Sequence, residues 1–324
     1  MNRKEFIKLG TLGAVSLTFR PSAHAVSPTR KSNITFGVIT DLHHDIMHDG
    51  QKRLEAFLGD MKEQQPDFII QLGDFCVPKP ANQPLLDAWN TFSGDKHHVI
   101  GNHDTDGGFS KDQVVEFWEA KGNYYSFDKN GFHFVVLDGN EHNESSDRPK
   151  GYARYISPSQ MDWLVDDLQK TNLPSIVCCH QGLDNERYGI ENGMAVRYLL
   201  ETANTNAGFQ KVILVLSGHH HQDYFNKIND IHYVQINSAS YYWLGDQYKT
   251  VRYSEQVDEN YPWIKYTAPY KDPLWATITI ASNGKINIKG KKSSFVGPSP
   301  KQMGVADNKD VYPIVPYIST RKLS

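Results

Sequence analysis

Five short apolar, β-rich runs in this chain each stop at an acidic, amide or imidazole side chain. Residues 34–40 lead into Asp41-Leu42-His43, and 68–72 into Gly73-Asp74. Residues 98–100 lead into Gly101-Asn102-His103-Asp104, 175–179 into His180, and 212–217 into Gly218-His219-His220-His221. Runs of this length, apolar almost throughout, fit strands covered on both faces. Helical spacing fills gaps between them, at 51–63, 84–92, 111–121, 159–170 and 194–202, with Ser157 and Pro158 as a helix start. Segments 124–127 and 132–137 flank Asn130-Gly131, and 276–280 and 285–289 flank Asn283-Gly284, so two hairpins are expected as well. The pattern predicts an α/β domain whose sheets mix parallel and antiparallel pairing and are covered by helices.

In α/β sheets ligands bind in the crevice beyond the carboxyl ends of the strands. Five such ends here aim Asp, Asn and His side chains at one region. Imidazole nitrogen with carboxylate or amide oxygen suits divalent or trivalent Mn, Fe or Zn, and no thiolate stands at these positions, which disfavours a closed structural zinc site. If the segments are extended, Asp41 and His43 face one side, and so do His219 and His221. A single carboxylate between two ions, Asp74, can bridge them. Glycines before Asp74, Asn102 and His219 allow the backbone close to the site.

The ordered set Asp41-x-His43, Gly73-Asp74, Gly101-Asn102-His103-Asp104, His180 and Gly218-His219-x-His221 resembles the motifs of the calcineurin-like metallophosphoesterases, over roughly residues 34 to 240. The resemblance implies a four-layer αββα sandwich of two mixed β-sheets flanked by helices. It implies that Asp41, His43 and His221 hold one metal ion, that Asn102, His180 and His219 hold another, and that Asp74 bridges them. His103 then corresponds to the non-ligand histidine that protonates the leaving group or steadies the phosphate. Such a centre hydrolyses phosphate mono- or diesters by attack of a metal-bridging hydroxide, with Asp74 and His103 as the catalytic pair. The position three after Asp74 is Val77, where purple acid phosphatases carry tyrosine. Phe75-Cys76-Val77-Pro78 and Asp104 also depart from the protein serine/threonine phosphatases. The chain is more similar to the small-molecule branch, which includes class III cyclic nucleotide phosphodiesterases and Mn-dependent nucleotide diphosphatases. A catalytically inactive metal-binding module of the same fold is the other reading, and His103 beside a full ligand set argues against it.

Around this core, His44, Asp104, Arg148 and Tyr241 are expected to contact substrate, with Asp104 placed to orient His103. Arg154, Arg187 and Arg197 are further possible phosphate clamps. His97, His98, His133 and His232 read as structural, and His220 as pointing away from its neighbours. Cys76, Cys178 and Cys179 are an odd set without disulfide spacing and read as small core residues.

The first 25 residues read as an export signal, and the remainder as one domain at 26–292 followed by a surface tail at 293–324. A basic start precedes an apolar stretch at 9–19 and the small-residue site Ala23-His24-Ala25. Arg3-Lys4-x-Phe-Ile-Lys resembles a twin-arginine signal with lysine in second place. The apolar stretch is too short to span a bilayer, so no membrane anchor is expected, and the protein is expected in the periplasm or secreted. The chain's net charge is −3, of which the leader contributes +3 (Arg3, Lys4, Lys8 and Arg20 against Glu5), leaving about −6 for the rest. That acidity gives no footprint for nucleic acid, so the expected partner is a small phosphate ester.

Overall fold

Alternate side chains along each central strand enter two different cores, and this sets the number of layers. The computed structural model describes residues 32–305, apart from 146 and 149, and 312–324. The expected leader lies outside these residues. One sheet contains β1 (Ile34–Ile39), β2 (Phe68–Gln71), β3 (Asp95–His98), β12 (Ala276–Ile280), β13 (Ile286–Gly290) and β14 (Arg321–Leu323), in the order β14-β13-β12-β1-β2-β3. The second contains β4 (Tyr125–Lys129), β5 (Phe132–Leu137), β6 (Ser175–Cys179), β7 (Val212–Ser217), β8 (Tyr224–Ile228) and β9 (Ile231–Gln235), in the order β4-β5-β6-β7-β9-β8. β10 (Tyr241–Trp243) and β11 (Thr267–Pro269) form a separate ribbon. Both six-stranded sheets are mixed: β1, β2 and β3 run parallel while β12 is antiparallel to β1, and β5, β6, β7 and β9 run parallel between antiparallel β4 and β8.

Phe36, Val38, Phe68 and Ile70 of the first sheet meet Phe134, Val136, Ile176 and Cys178 of the second in the central core. Phe36 stacks on Phe68 at 4.8 Å, and Phe134 sets its edge against both, at 5.5 Å and 5.0 Å. The intervening residues face outward. Ile39 and Ile69 pack under α1 (Gly50–Gln64), α2 (Gln83–Asn90) and α3 (Lys111–Trp118), through Leu54, Phe57, Leu86, Trp89 and Val114. Val135, Leu137, Val177 and Cys179 pack under α4 (Pro158–Lys170) and α5 (Gly193–Ala207), through Leu164, Leu168, Val196 and Leu200. The result is the four-layer αββα sandwich. Local chemistry sets the helix ends: Ser110 and Gln113 form a reciprocal capping box on α3, and Ser157 caps α4 ahead of Pro158.

Two expectations need correcting. The third strand is Asp95–His98 rather than 98–100, because β3 is a sheet edge where charged Asp95 and Lys96 are tolerated; Lys129 pairs with Asp95 there at 2.8 Å. The stretch after residue 292 is more than a surface tail. Ile318 and Leu323 are buried, β14 pairs with β13, and Tyr312 stacks on Tyr224 at 3.9 Å, since an open β13 edge and exposed apolar side chains would otherwise remain. No helix among the described residues is long and apolar enough to cross a membrane.

Candidate metal centre

The loops that leave β1, β2, β3, β6 and β7 converge at the carboxyl ends of the two sheets. Asp41, His43 and His221 form one group of potential ligand atoms within 4.8 Å of one another, and Asp74, His180 and His219 form another. Asp74 lies between them: its Oδ2 is 3.5 Å from His43 Nε2 and 3.2 Å from His180 Nε2. Asn102 is buried with its Oδ1 unpartnered, and His180 Nε2 has no well-directed hydrogen bond despite its nearness to Asp74. Orphaned buried acceptors are expensive unless a cation completes them, and this donor set fits a metal pair.

Backbone groups select the nitrogens. His221 Nδ1 lies 2.7 Å from Tyr241 O and His180 Nδ1 lies 2.7 Å from Leu72 O, so each Nδ1 carries the proton donated to a carbonyl and each Nε2 is turned inward. Asp41 is held by Thr40 Oγ1 at 2.6 Å and by the His219 N–H at 3.0 Å. Burial alone would raise the Asp41 and Asp74 carboxyls, but the surrounding imidazoles outweigh it and hold both well below the usual carboxylate range. Burial pushes His43 down to about 3 and His219 down as well, so both rings present a free lone pair. Burial also disfavours charge on His180, yet Asp74 beside it pushes it up to about 9.

The ligand backbone is strained. Asp41, His43, Asp74, His219 and His221 all have φ between 47° and 74°, a region that costs non-glycine residues energy. The extended geometry expected for Asp41-x-His43 and His219-x-His221 is therefore absent. Asp41 and His43 nonetheless fall in one group, whereas His219 and His221 fall in different ones. Glycines permit the close approach: a Cβ on Gly101 would collide with the Asp74 backbone, and one on Gly218 with Thr40 Oγ1 and Asp41 Oδ2.

His103 sits beside the groups, its ring 5.2 Å from that of His43 and its backbone N–H donating to Asp74 Oδ1 at 2.8 Å. Burial would lower its pKa, but the Asp74 and Asp106 carboxylates hold it at about 8. The expected substrate contacts fare differently. Asp104 is buried and accepts the backbone N–H groups of Asp74, Phe75 and Gly101, so it shapes the loops; the carboxylate on the His103 ring belongs to Asp106. Tyr241 is buried, with its ring 4.9 Å from those of His43 and His221, and its carbonyl orients His221. His44 packs against Gly50 with Asp45 and Lys79 as its charged neighbours. Arg148 is exposed, and its guanidinium makes no hydrogen bond among the described residues. Arg154 donates through Nη1 to Gly189 O at 2.9 Å.

The calcineurin-like phosphoesterase family matches residues 34–223, well over half of the chain. The chain belongs to the calcineurin-like phosphoesterases. It is 23% identical to a 3′,5′-cyclic-nucleotide phosphodiesterase of Nostoc sp., over 76% of this chain and 92% of that protein. It is 24% identical to a manganese-dependent ADP-ribose/CDP-alcohol diphosphatase of Arabidopsis thaliana, over 66% of this chain and 88% of that protein. A dimetal phosphatase from Danio rerio shares its fold, with a TM-score of 0.58 and 16% identity over 82% of this chain and 99% of that one. The chain is thus a metallophosphoesterase, a hydrolase of phosphoric esters carrying two groups of candidate metal ligands.

Proposed function

We propose that this phosphoesterase hydrolyses a small phosphodiester, using two metal ions held by Asp41, His43, Asp74, Asn102, His180, His219 and His221. The observation that carries the reading is Asp74 Oδ2, one carboxylate oxygen within 3.5 Å of a nitrogen from each ligand group. When bound, a metal pair polarises phosphoryl oxygens and lowers the pKa of water. The residues of the chain do the rest. Asp74 ties the two groups together, and through its other oxygen it fixes the His103 backbone. His103 is placed to give a proton to the leaving oxygen. The nitrogen and oxygen donors accept Mn, Fe or Zn; manganese is the ion to try first, because the Arabidopsis relative's name specifies it.

Diesters are favoured over monoesters because the names of both relatives describe nucleotides whose phosphate carries two substituents. Purified protein loaded in turn with manganese, iron and zinc should cleave bis-p-nitrophenyl phosphate faster than p-nitrophenyl phosphate. A panel of cyclic nucleotides and nucleotide diphosphate esters then separates phosphodiesterase from diphosphatase. Preference for the monoester would overturn the diester reading. Bound metal with no turnover of any ester would favour the inactive binding module.

We also infer export through residues 1–25. Intact-mass analysis of protein recovered outside the cytoplasm should begin at Val26, and recovery of an uncleaved chain in the cytoplasm would refute it.

A further inference from the structure

The loop between β6 and α5 starts at His180 and brings two guanidiniums onto one tyrosine. Tyr188 is 60% exposed, and the Arg154 and Arg187 guanidiniums lie 5.8 Å and 5.4 Å from the centre of its ring. Arg154 gives Nη1 to Gly189 O at 2.9 Å, and the Arg187 guanidinium makes no hydrogen bond among the described residues. The arginines that do pair with carboxylates among the described residues are Arg53 and Arg321. Carboxylates of this loop leave the two cations alone. Asp184 is engaged with Asn226 at 2.7 Å and Glu191 with Asn143 at 3.2 Å, while Glu186 is exposed and pairs with neither arginine.

The pair stands one layer of backbone from the ligand groups. His220 lies between His219 and His221, and a Cβ on Gly182 would come within 3.3 Å of its Nε2. A Cβ on Gly189 would come within 2.6 Å of Gly182 O, so Gly189 rests on Gly182 and Gly182 on His220. Arg154 is a charged neighbour of His220. Arg187 and Tyr188 adjoin Tyr242, which follows the residue whose carbonyl orients His221.

Loop closure would be the structural explanation. The loop is already closed by the Ile190 N–H to Gly182 O at 3.0 Å, and its tip is bent by the Arg187 N–H to Asn185 Oδ1 at 2.9 Å. Tyr188 has a φ of 61°, a strained value for a side chain that buries little of its surface. Two unpaired guanidiniums on one ring repel each other, and an anion shared between them removes that cost.

We propose that Arg154 and Arg187, held on the Tyr188 ring, form an anion subsite for a second phosphoryl group, which makes the preferred substrate a diester of diphosphate. This rests on the reading of the ligand groups as the centre that hydrolyses the ester. Guanidinium pairs bidentately with phosphate oxygens, and Arg187 has all its donors free to do so. One phosphorus then sits at the ligand groups and the next lies under the arginines. In the step, a water oxygen bonds to the first phosphorus and the bond from that phosphorus to the bridging oxygen breaks. The electron pair leaves with the second phosphate, whose added charge the guanidiniums offset. One water proton stays on the new phosphate and the other ends on the leaving one. A simple diester has no second group and gains nothing from the arginines.

The test compares a diphosphate carrying one p-nitrophenyl group on each phosphate with bis-p-nitrophenyl phosphate, in manganese-loaded protein. Wild type should favour the diphosphate in kcat/KM, and Arg187→Ala should cut that preference about 10–100-fold, mostly through KM, the worth of a charge-assisted contact. Arg187→Lys should restore part of it, and Tyr188→Leu should cut it about 3-fold. Binding is read separately by calorimetry with the same diphosphate bridged by methylene instead of oxygen, which cannot be cleaved. Arg187→Ala should weaken that binding about 10–100-fold while metal content stays at the wild-type level. Equal loss on both esters, an unchanged preference, or a methylene-bridged compound held as tightly by Arg187→Ala as by wild type would overturn the subsite. Turnover of neither ester by wild type would sink the hydrolytic reading alone. The calorimetric difference would then still uphold the subsite, and its absence would overturn it.

Discussion

His133 lies in β5 and His180 directly follows the neighbouring β6, both are buried, and both have a raised pKa, yet their surroundings differ. His133 Nδ1 meets Asp128 at 2.6 Å and Nε2 meets Asp167 at 2.8 Å, on the regular backbone of β5. Burial would lower its pKa, and these two carboxylates more than offset that. His180 gives one nitrogen to a carbonyl and leaves the other without a directed bond, among ligands of which five sit at positive φ. Burial and a perturbed pKa do not distinguish the two. Unfilled bonding capacity on a strained backbone does, because the fold keeps such an arrangement only where something else completes it.

The largest effect expected from this contrast follows Asp74→Asn or His180→Ala. Either should lower metal content below two ions per chain by elemental analysis and cut turnover at least about 100-fold, the upper end for merely outer partners of a metal. A metal-replete, active His180→Ala protein would erase the distinction from His133. His103→Ala should keep its metal and lose about 10²–10⁴-fold in rate, the range for a general acid. Gly218→Ala forces a Cβ onto Thr40 and Asp41, and should lower stability by about 1–3 kcal/mol while weakening metal retention; a Tm equal to wild type would show that the loop has room.

The smallest effect belongs to the structural histidine. Asp167→Asn should cost about 1 kcal/mol, leave metal and turnover unchanged, and depend on pH. The His133 pKa is raised, so its contribution is complete below the ordinary histidine value and fades as pH rises through the raised one. The Asp167 carboxyl is partly buried, which alone would raise its pKa, but the bond from His133 outweighs this and lowers it; its contribution is complete above the ordinary carboxyl value and fades as pH falls through the lowered one. The Tm gap to wild type should therefore be widest near about pH 5–6 and shrink by about pH 9. A gap that widens with pH would contradict the pairing.

The two candidate ligand groups were legible in the sequence because strand ends advertise them: Asp41, Asp74, His180 and His219 each follow an apolar run. The partition of His219 from His221 was not legible from spacing, since the same x-separated pattern at Asp41 and His43 keeps both residues in one group. Asp106 and Tyr152 were missed for different reasons. Asp106 is three residues after His103, a spacing a turn can close, and that signal was available. Tyr152 meets it across 46 positions through a loop without periodicity. The β8–β9 hairpin turns on Asn229 and Asp230, both at positive φ, a pair less telling than the Asn-Gly of the two hairpins that were expected. β14 was obscured because an edge strand of three residues rich in cations does not look like one.

The pairing of Ile34 with Ile280 joins strands that are made early and late in the chain. β1 positions Asp41, and its neighbours are β2, made soon after it, and β12, made after every ligand has left the ribosome. A nascent chain arrested at Ser240 would own all seven ligands and still hold β1 as a bare sheet margin, with only one of its two partners in place. Such an arrested chain should therefore bind manganese more weakly than the released protein.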